Sequence, residues 1–153
     1  MAANHAFYWS LRGNSDASVM GCFDIAEIDW QHRRAEVGFV LAKPLWGHGY
    51  AQDVMNAIID HVTGLGLKRL TARLHAGNMR SEALLRRLHF QQEGLLRGHI
   101  ERDGTRRDCK VFGLLLCVWH LGEKRCRPFG SPQGDLIYEG QDGGSIRKAR
   151  QPV

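Results

Sequence analysis

The sequence has little proline, no apolar run long enough to cross a membrane, and no closely spaced pair of cysteines. Its longest apolar stretch, Val111 to Trp119, falls far short of the roughly 20 residues that a membrane-spanning helix needs. Its N-terminus lacks the basic stretch followed by an apolar one that marks a secretory signal. We therefore expect no transmembrane segment and a cytoplasmic location.

The four cysteines are scattered along the chain, and none of them forms a C-x-x-C pair. A zinc site would need such pairs, or histidines at matched spacing, and neither occurs. The sequence therefore predicts no metal site and free thiols in a reducing compartment. The cysteines are Cys22, Cys109, Cys117 and Cys126.

A length of 153 residues, with 43% hydrophobic and 24% charged residues, is sufficient for one globular domain with its own core. Lysine and arginine number 21 against 16 aspartates and glutamates, which gives a net charge of +5. Such an excess favours anionic partners: nucleic acid, an acidic protein surface or a phosphate-bearing cofactor. Because the basic residues are not gathered in one block, a solvated basic surface is the alternative reading.

Hydrophobic patterning predicts the element order β-β-β-α-β-α-β-β. Three strands over 7–12, 19–30 and 35–42 form an antiparallel meander. Apolar residues from Ala51 to Val62 recur at helical spacing, and a strand over 69–75 follows. Asn78 opens a second helix, and strands over 94–101 and 107–116 form a hairpin that turns at Asp103-Gly104. The fold class is therefore α/β (α+β).

The composition changes near Trp119. Residues 119–153 hold six of the 18 glycines and three of the four prolines, without helical or strand periodicity. We therefore predict a domain over residues 5–118 and an irregular tail over 119–153, in which a short stretch from Asp135 to Tyr138 can pack locally.

A glycine-containing loop, Trp46-Gly-His-Gly-Tyr-Ala51, joins the third strand to the first helix. Free N–H groups at a helix N-terminus attract anions, and glycine lets a phosphate come close to the backbone. A tight turn before a helix would explain the same residues. The loop is neither a dinucleotide-binding fingerprint, which needs a third glycine, nor a Walker loop, which needs Gly-Lys-Ser/Thr.

Two motifs in this order resemble those of the GNAT superfamily of N-acetyltransferases. The first runs from Arg34 to Leu41 and continues as Pro44-Leu-Trp-Gly-His-Gly-Tyr-Ala51; the second comprises Asn78-Met-Arg-Ser81, Arg86-Arg-Leu-His-Phe90 and Glu93-Gly94. The two motifs most resemble those of the ribosomal-protein N-terminal acetyltransferase-like branch, and the resemblance covers roughly residues 7–116. It implies a GNAT-like central mixed, mostly antiparallel twisted sheet with two flanking helices.

The resemblance also implies a reaction, in which a primary amine directly attacks acetyl-CoA in a ternary complex. Ser81 would donate a proton to the CoA thiolate, and a backbone N–H near Val40 or Leu41 would hold the oxyanion. Asn78 would bind the cofactor, although it also suits a helix N-cap. The implied cofactor-binding residues are Phe39, Val40, Leu41, Trp46, Gly47, His48, Gly49, Tyr50, Ala51, Asn78 and Arg86.

Several positions depart from the family pattern. Trp46 stands where the loop usually begins with Gln or Arg, and we expect it to pack under the loop. Leu85 replaces a tyrosine used by many members, and Ile100, between His99 and Glu101, replaces a carboxylate base. His89 replaces a common glycine, which we interpret as a structural change.

The family normally begins with a strand and two helices that precede Phe7 and wall the acceptor site. Without them, we expect the chain to form a homo-oligomer through its N-terminal edge strand, Phe7 to Leu11. The expected acceptor is a protein N-terminus or a small amine. Two alternatives remain: a CoA-binding remnant or regulatory module with little catalysis, and a basic RNA- or ribosome-associated protein.

Overall fold

The structure, a computed structural model, describes residues 6–13, 18–116, 136–140 and 146–148, the last two ranges as backbone only. Its described helices are too short or too polar to cross a membrane. The elements in chain order are β1 (Phe7–Arg12), β2 (Val19–Asp29), β3 (Arg34–Leu41), a 3-10 turn (Lys43–Leu45), α1 (Tyr50–Gly64), β4 (Arg69–His75), α2 (Met79–Arg87), β5 (Gln91–Arg102), β6 (Thr105–Leu115), β7 (Leu136–Gly140) and β8 (Ile146–Lys148).

All strands of the described residues belong to one sheet with the order β5-β6-β4-β3-β2-β1-β7-β8. Among the described strand pairs, β3 and β4 alone run parallel, and α1 forms the crossover between them. The predicted order of the first eight elements and the mixed, mostly antiparallel sheet are confirmed.

Both helices pack on the same face of the sheet, which we call the helix face. Alternate residues of the central strands point to it, among them Val37 on β3 and its neighbour Ile25 on β2. The apolar stripe of α1 covers them, and Leu85 joins the same core from α2. The buried members of the α1 stripe are Val54, Met55, Ile58 and Val62.

The opposite face, which we call the open face, is not covered by a helix in the described part of the chain. It carries the other alternate residues, including Tyr8, Asp24 and Glu36. Val40 on this face is 71% exposed. The two faces therefore differ sharply, with a closed apolar core on one side and a polar surface on the other.

Three residues with left-handed backbone explain sequence features at the ends of elements. Asp103 (φ 53°) and Gly104 (φ 70°) form the predicted hairpin turn between β5 and β6. His89 follows α2 with φ 67°. Since glycine adopts such a conformation most easily, this geometry explains why the family pattern has glycine there.

The N-terminal strand has a neighbour on each side, which corrects the expectation of an unpaired edge at β1. Besides β2, β1 pairs with β7, with Leu11 opposite Tyr138, and β8 pairs with β7. The tail is therefore not irregular throughout, because 136–140 and 146–148 are strands. The rest of 119–153 lies outside the described residues. The edge of β1 is not unpaired, and Trp9 and Leu11 lie in the core, with 4% and 0% exposure. The domain limit at residue 118 stays a prediction.

Candidate functional site

The central cleft arises where the two parallel strands part. β3 and β4 pair only through Arg34–Arg69, Ala35–Leu70 and Glu36–Thr71. Beyond these pairs β3 stays with β2 and β4 stays with β6, so a gap opens between them. The resulting cleft has a volume of about 800 Å³. The backbone of β3 from Phe39 to Leu41 forms one wall of the cleft.

The glycine loop and the N-terminus of α1 form the floor of the cleft. Gly47 and Gly49 have φ values of 82° and 85°, and Gly49 is the N-cap of α1 without a side-chain cap. A Cβ atom at either glycine would meet nothing within 4 Å. Glycine is therefore required by the backbone conformation, and the space beside it stays open for a ligand. The first N–H groups of the helix have no intrahelical partners, which favours an anion here.

Trp46 connects this loop to both walls. Its indole Nε1–H donates to the carbonyl oxygen of Leu41 at 2.8 Å. On the ring's face lies the guanidinium of Arg80 from α2, with its central carbon 4.3 Å from the ring centroid. Trp46 therefore connects the loop to the end of β3 and also contacts α2, while 40% of the residue stays exposed.

The first turn of α2 forms the second wall. Asn78 caps the helix, because its Oδ1 accepts from the backbone N–H of Ser81 at 3.2 Å. Both residues line the cleft. Since the cap uses only the oxygen of the amide group and the backbone of Ser81, the Nδ2 of Asn78 and the Ser81 hydroxyl remain for a ligand.

The charged groups of the cleft wall are all basic. Among the described residues that line it there is no carboxylate, and the titratable ones are His75, Arg80 and Arg87. His75 lies at the end of β4, with Nδ1 3.2 Å from the carbonyl oxygen of Ala76. The lining residues are Phe39, Val40, Leu41, Leu45, Trp46, Gly47, Gly49, Ala51, Gln52, His75, Gly77, Asn78, Met79, Arg80, Ser81, Ala83, Leu84 and Arg87.

Three residues predicted to bind the cofactor do not line the cleft: His48, Tyr50 and Arg86. Arg86 turns away and pairs with Glu82 at 2.8 Å. The hydrogen bond from Lys110 to the same carboxylate, together with that from Arg86, lowers the pKa of Glu82. Arg86 is therefore held on the side of α2 that faces β6.

His75 and Arg87 were missed by motif reasoning. Arg87 follows Arg86 by one residue, and the helical rotation of about 100° sends the two side chains in different directions. One feature of the sequence could have indicated His75. It is the last residue of β4, the strand that parts from β3, and residues at that end of β4 border the gap between the two strands.

No residue around Ile100, where the family pattern has a carboxylate base, replaces that base in the cleft. The register of β5 against β6 shifts between Leu96 and Ile100, so a bulge does occur there. The N–H of Gly98, with φ 57°, donates to Asp108 Oδ1 at 2.8 Å. Neither Ile100 nor its neighbours line the cleft.

Glu36 marks the point at which the strands part. Its carboxylate lies on the open face, 2.9 Å from the guanidinium of Arg73. Burial raises the pKa of Glu36, while Arg73 opposes the shift and Glu27 and Asp24 add to it. Burial also raises the pKa of Asp24. Carboxylates therefore lie behind the cleft, on the open face, and basic groups line it.

In the described ranges, no group of three His, Cys, Asp or Glu side chains could hold a metal ion.

Comparison with known proteins gives a consistent assignment. A family model described as "Acetyltransferase (GNAT) domain" matches residues 1–91, more than half of the chain. The Bacillus subtilis protein named uncharacterized N-acetyltransferase YoaA is 29% identical over 108 residues, which cover 70% of this chain and 61% of that protein. The chain thus spans about 60% of this relative's length.

Solved structures share the fold at lower identity. A ribosomal-protein-S5-alanine acetyltransferase from Vibrio fischeri matches with a TM-score of 0.70 and 22% identity, over 76% of this chain and 64% of that one. The spermidine/spermine N-acetyltransferase SpeG from Vibrio cholerae matches with a TM-score of 0.67 and 23% identity, over 75% of this chain and 68% of that one. At these identities the likeness concerns the fold alone.

Proposed function

The chain belongs to the GNAT acetyltransferase family, and we propose that it transfers an acetyl group from acetyl-CoA to a primary amine by direct attack in a ternary complex. The observation that carries this proposal is the cleft between β3 and β4. There an open strand wall, a glycine loop at a helix N-terminus and basic side chains face the same space.

The elements of the cleft match the parts of acetyl-CoA. The amide-containing pantetheine arm can pair with the backbone of residues 39–41, where β3 lacks β4 as a partner. The pyrophosphate suits the loop at Gly47 and Gly49 and the N-terminus of α1. Arg80 and Arg87 add positive charge, and no carboxylate of the described lining repels the phosphates.

The transfer itself needs three groups. A backbone N–H near Val40 or Leu41 would polarise the thioester carbonyl and stabilise the oxyanion formed when the amine attacks. When the tetrahedral adduct breaks down, CoA would leave as a thiolate, and the Ser81 hydroxyl, which borders the cleft, would donate a hydrogen bond or proton to that sulfur. The attacking nitrogen must lose a proton as the amide forms.

His75 is the best-placed acceptor for that proton. Continuing the register of Glu36 with Thr71 along both strands would bring Val40 and His75 to the same level, on opposite sides of the gap. A bond from Nδ1–H to the Ala76 carbonyl leaves Nε2 as the basic nitrogen. His75 is also the only histidine of the described cleft lining, and an imidazole can accept a proton.

We expect the acceptor to be a protein N-terminus, in line with the ribosomal-protein branch that the motifs resemble. A polyamine is the other class, because a structural neighbour is named a spermidine/spermine acetyltransferase. The alternative of a CoA-binding module with little turnover draws support from the open face. In the described part of the chain nothing covers this face beside the cleft, and water weakens the electrostatic stabilisation of an oxyanion.

The loop provides the test of CoA binding. Gly49→Ala puts a methyl group into the space reserved for phosphate and should weaken CoA binding about tenfold, or 1.4 kcal/mol, by calorimetry. Gly66→Ala is the matched control, because Gly66 also has a positive φ (97°) and open space around its Cβ position but lies at the other end of α1, outside the cleft. Both variants should lose similar thermal stability, since both place alanine in a left-handed conformation.

The same protein tested with acetyl-CoA and a panel of amines decides between the two functions. Turnover with an N-terminal peptide or a polyamine supports the enzyme and identifies its acceptor. Binding of CoA without turnover on any amine supports the binding module. Equal CoA affinity of the Gly49→Ala and Gly66→Ala variants would remove the loop from the site.

A further inference from the structure

We propose that Trp46 positions Arg80 as a phosphate-binding residue for CoA, so that the two side chains act as one unit across the mouth of the cleft. This inference rests on the proposed function, because it assumes that CoA occupies the cleft. The family pattern has Gln or Arg at position 46, where this chain has Trp46. We infer that the aromatic ring of Trp46 instead holds an arginine from α2, Arg80.

The geometry links three separate elements through one indole ring. The Nε1–H of Trp46 is bonded to the carbonyl oxygen of Leu41, the last residue of β3, at 2.8 Å. The face of the same ring lies under the guanidinium of Arg80, two residues after the N-cap of α2. Because β3 and β4 have already parted, this contact connects the two walls by side chains where the sheet no longer does so.

A contact through the ring's face leaves the guanidinium able to bind an anion. A cation over an aromatic ring is held through the ring's face, whereas the five N–H donors of arginine lie in the guanidinium plane and point outward. Arg80 forms no ion pair with a carboxylate among the described residues, unlike Arg86 of the same helix, which pairs with Glu82. Arg80 therefore carries charge and donors that no described side chain neutralises.

The location of this cation favours phosphate as its ligand. Arg80 and Trp46 line the cleft together with Gly47 and Gly49, next to the N-terminus of α1. A guanidinium and free helix amides beside one another suit a phosphate, which arginine can bind with two parallel hydrogen bonds. Holding the long side chain in place beforehand reduces the entropy lost when the ligand binds.

Calorimetric titrations of CoA, dephospho-CoA (without the 3′-phosphate) and pantetheine test the proposal. Arg80→Gln should weaken CoA binding about tenfold and reduce its salt dependence, and it should leave pantetheine binding unchanged. An equal loss for CoA and dephospho-CoA identifies the pyrophosphate as the partner, whereas a loss confined to CoA identifies the 3′-phosphate. Arg86→Gln, which removes the same charge from the same helix outside the cleft, is the control and should leave all affinities unchanged.

The role of Trp46 needs a double-mutant cycle. Trp46→Leu should lose about as much CoA affinity as Arg80→Gln, and the double variant should lose little more, because the two residues act together. Trp46→Phe keeps a ring face but loses the bond to Leu41; it should show an intermediate loss and keeps the proposal testable if Trp46→Leu fails to fold.

Unchanged CoA affinity in Arg80→Gln, or additive losses in the double variant, would overturn the proposal while CoA binding by the unmodified protein still supports the proposed function. Absence of CoA binding by the unmodified protein would overturn both.

Discussion

One turn of α2 combines a structural and a chemical role in neighbouring residues. Asn78 satisfies a free amide at the helix start through its side-chain oxygen, which explains its presence without any ligand. Ser81 contributes only its backbone to this cap. Substitution of the Ser81 side chain therefore changes the cleft without removing the cap.

The two residues that we propose to transfer protons can be tested together. Ser81→Ala and His75→Gln should each lower kcat, by about 10²–10⁴-fold for a group that transfers a proton, with little change in CoA affinity. Steady-state kinetics on the best amine of the panel gives kcat, and calorimetry gives the affinity. The cap and the strand end remain intact in both variants, so thermal unfolding should be nearly unchanged.

Each variant can fail separately. Ordinary turnover in Ser81→Ala would leave Ser81 as a first-turn residue of the helix. Ordinary turnover in His75→Gln would mean that the amine loses its proton to water or to another group. A loss of CoA affinity as large as the loss of kcat in either variant would assign that residue to binding instead.

At the level of the strands, β2 and β3 place a carboxylate in a space kept free by a glycine. Asp24 lies opposite Gly38 on the open face, and a Cβ atom at Gly38 would overlap the Asp24 carboxylate. Partial burial raises the pKa of Asp24 above its ordinary value of 3.8. The folded protein therefore binds this proton more tightly than the unfolded chain does.

A pH-dependent gain in stability follows for Asp24→Asn. As the pH rises through the raised pKa, the partly buried carboxylate ionises and the folded state loses stability relative to the unfolded one. Asparagine does not ionise, so the variant should be more stable than the unmodified protein at neutral pH. The gain should disappear as the pH falls below the ordinary aspartate range, as measured by urea midpoints at both pH values. Asp60→Asn, at an exposed position of α1, is the charge-matched control, and an equal gain in that variant would attribute the effect to net charge.

The elements that the sequence predicted well are those with a local signal. The alternation of apolar and polar residues in β1 and β4, like the apolar stripe of α1, depends only on residues within the same element. The predicted bounds of these three elements agree with the structure to within a few residues. The glycine loop was recognisable because its conformation requires glycine at 47 and 49. These features needed no knowledge of the rest of the chain.

The features that the sequence did not reveal depend on contacts between distant elements. The stacking of Arg80 on Trp46 joins residues of a loop and a helix whose relative position only the fold determines. Arg86 resembled a cofactor residue by its motif position, but Glu82, one turn earlier, holds it elsewhere. The pairing of β7 with β1 likewise joins opposite ends of the chain, and the short stretch at 135–138 gave little sign of it.

At the scale of the whole molecule, β7 protects the edge of the sheet. A chain ended at residue 118 would lose β7 and leave the outer edge of β1 unpaired, with free N–H and C=O groups that favour association. We expect this shortened chain to sediment as a dimer or larger species at tens of micromolar. A chain ended at residue 142 keeps β7 and should behave as the intact chain does. Equal sedimentation of the two shortened chains would show that β7 does not control association.

The parting of β3 and β4 would also link the protein's resistance to unfolding to the supply of acetyl-CoA, the co-substrate that we propose. Only three residue pairs join the two halves of the sheet at this point, so the unliganded molecule has a weak seam through its centre. A ligand that binds the folded state alone raises the free energy of unfolding by RT ln(1 + [L]/Kd), which is about 2.7 kcal/mol at a hundred times Kd. If acetyl-CoA fills the seam, the amount of folded protein in a cell would rise and fall with the level of acetyl-CoA, and abundance itself would follow the metabolic state.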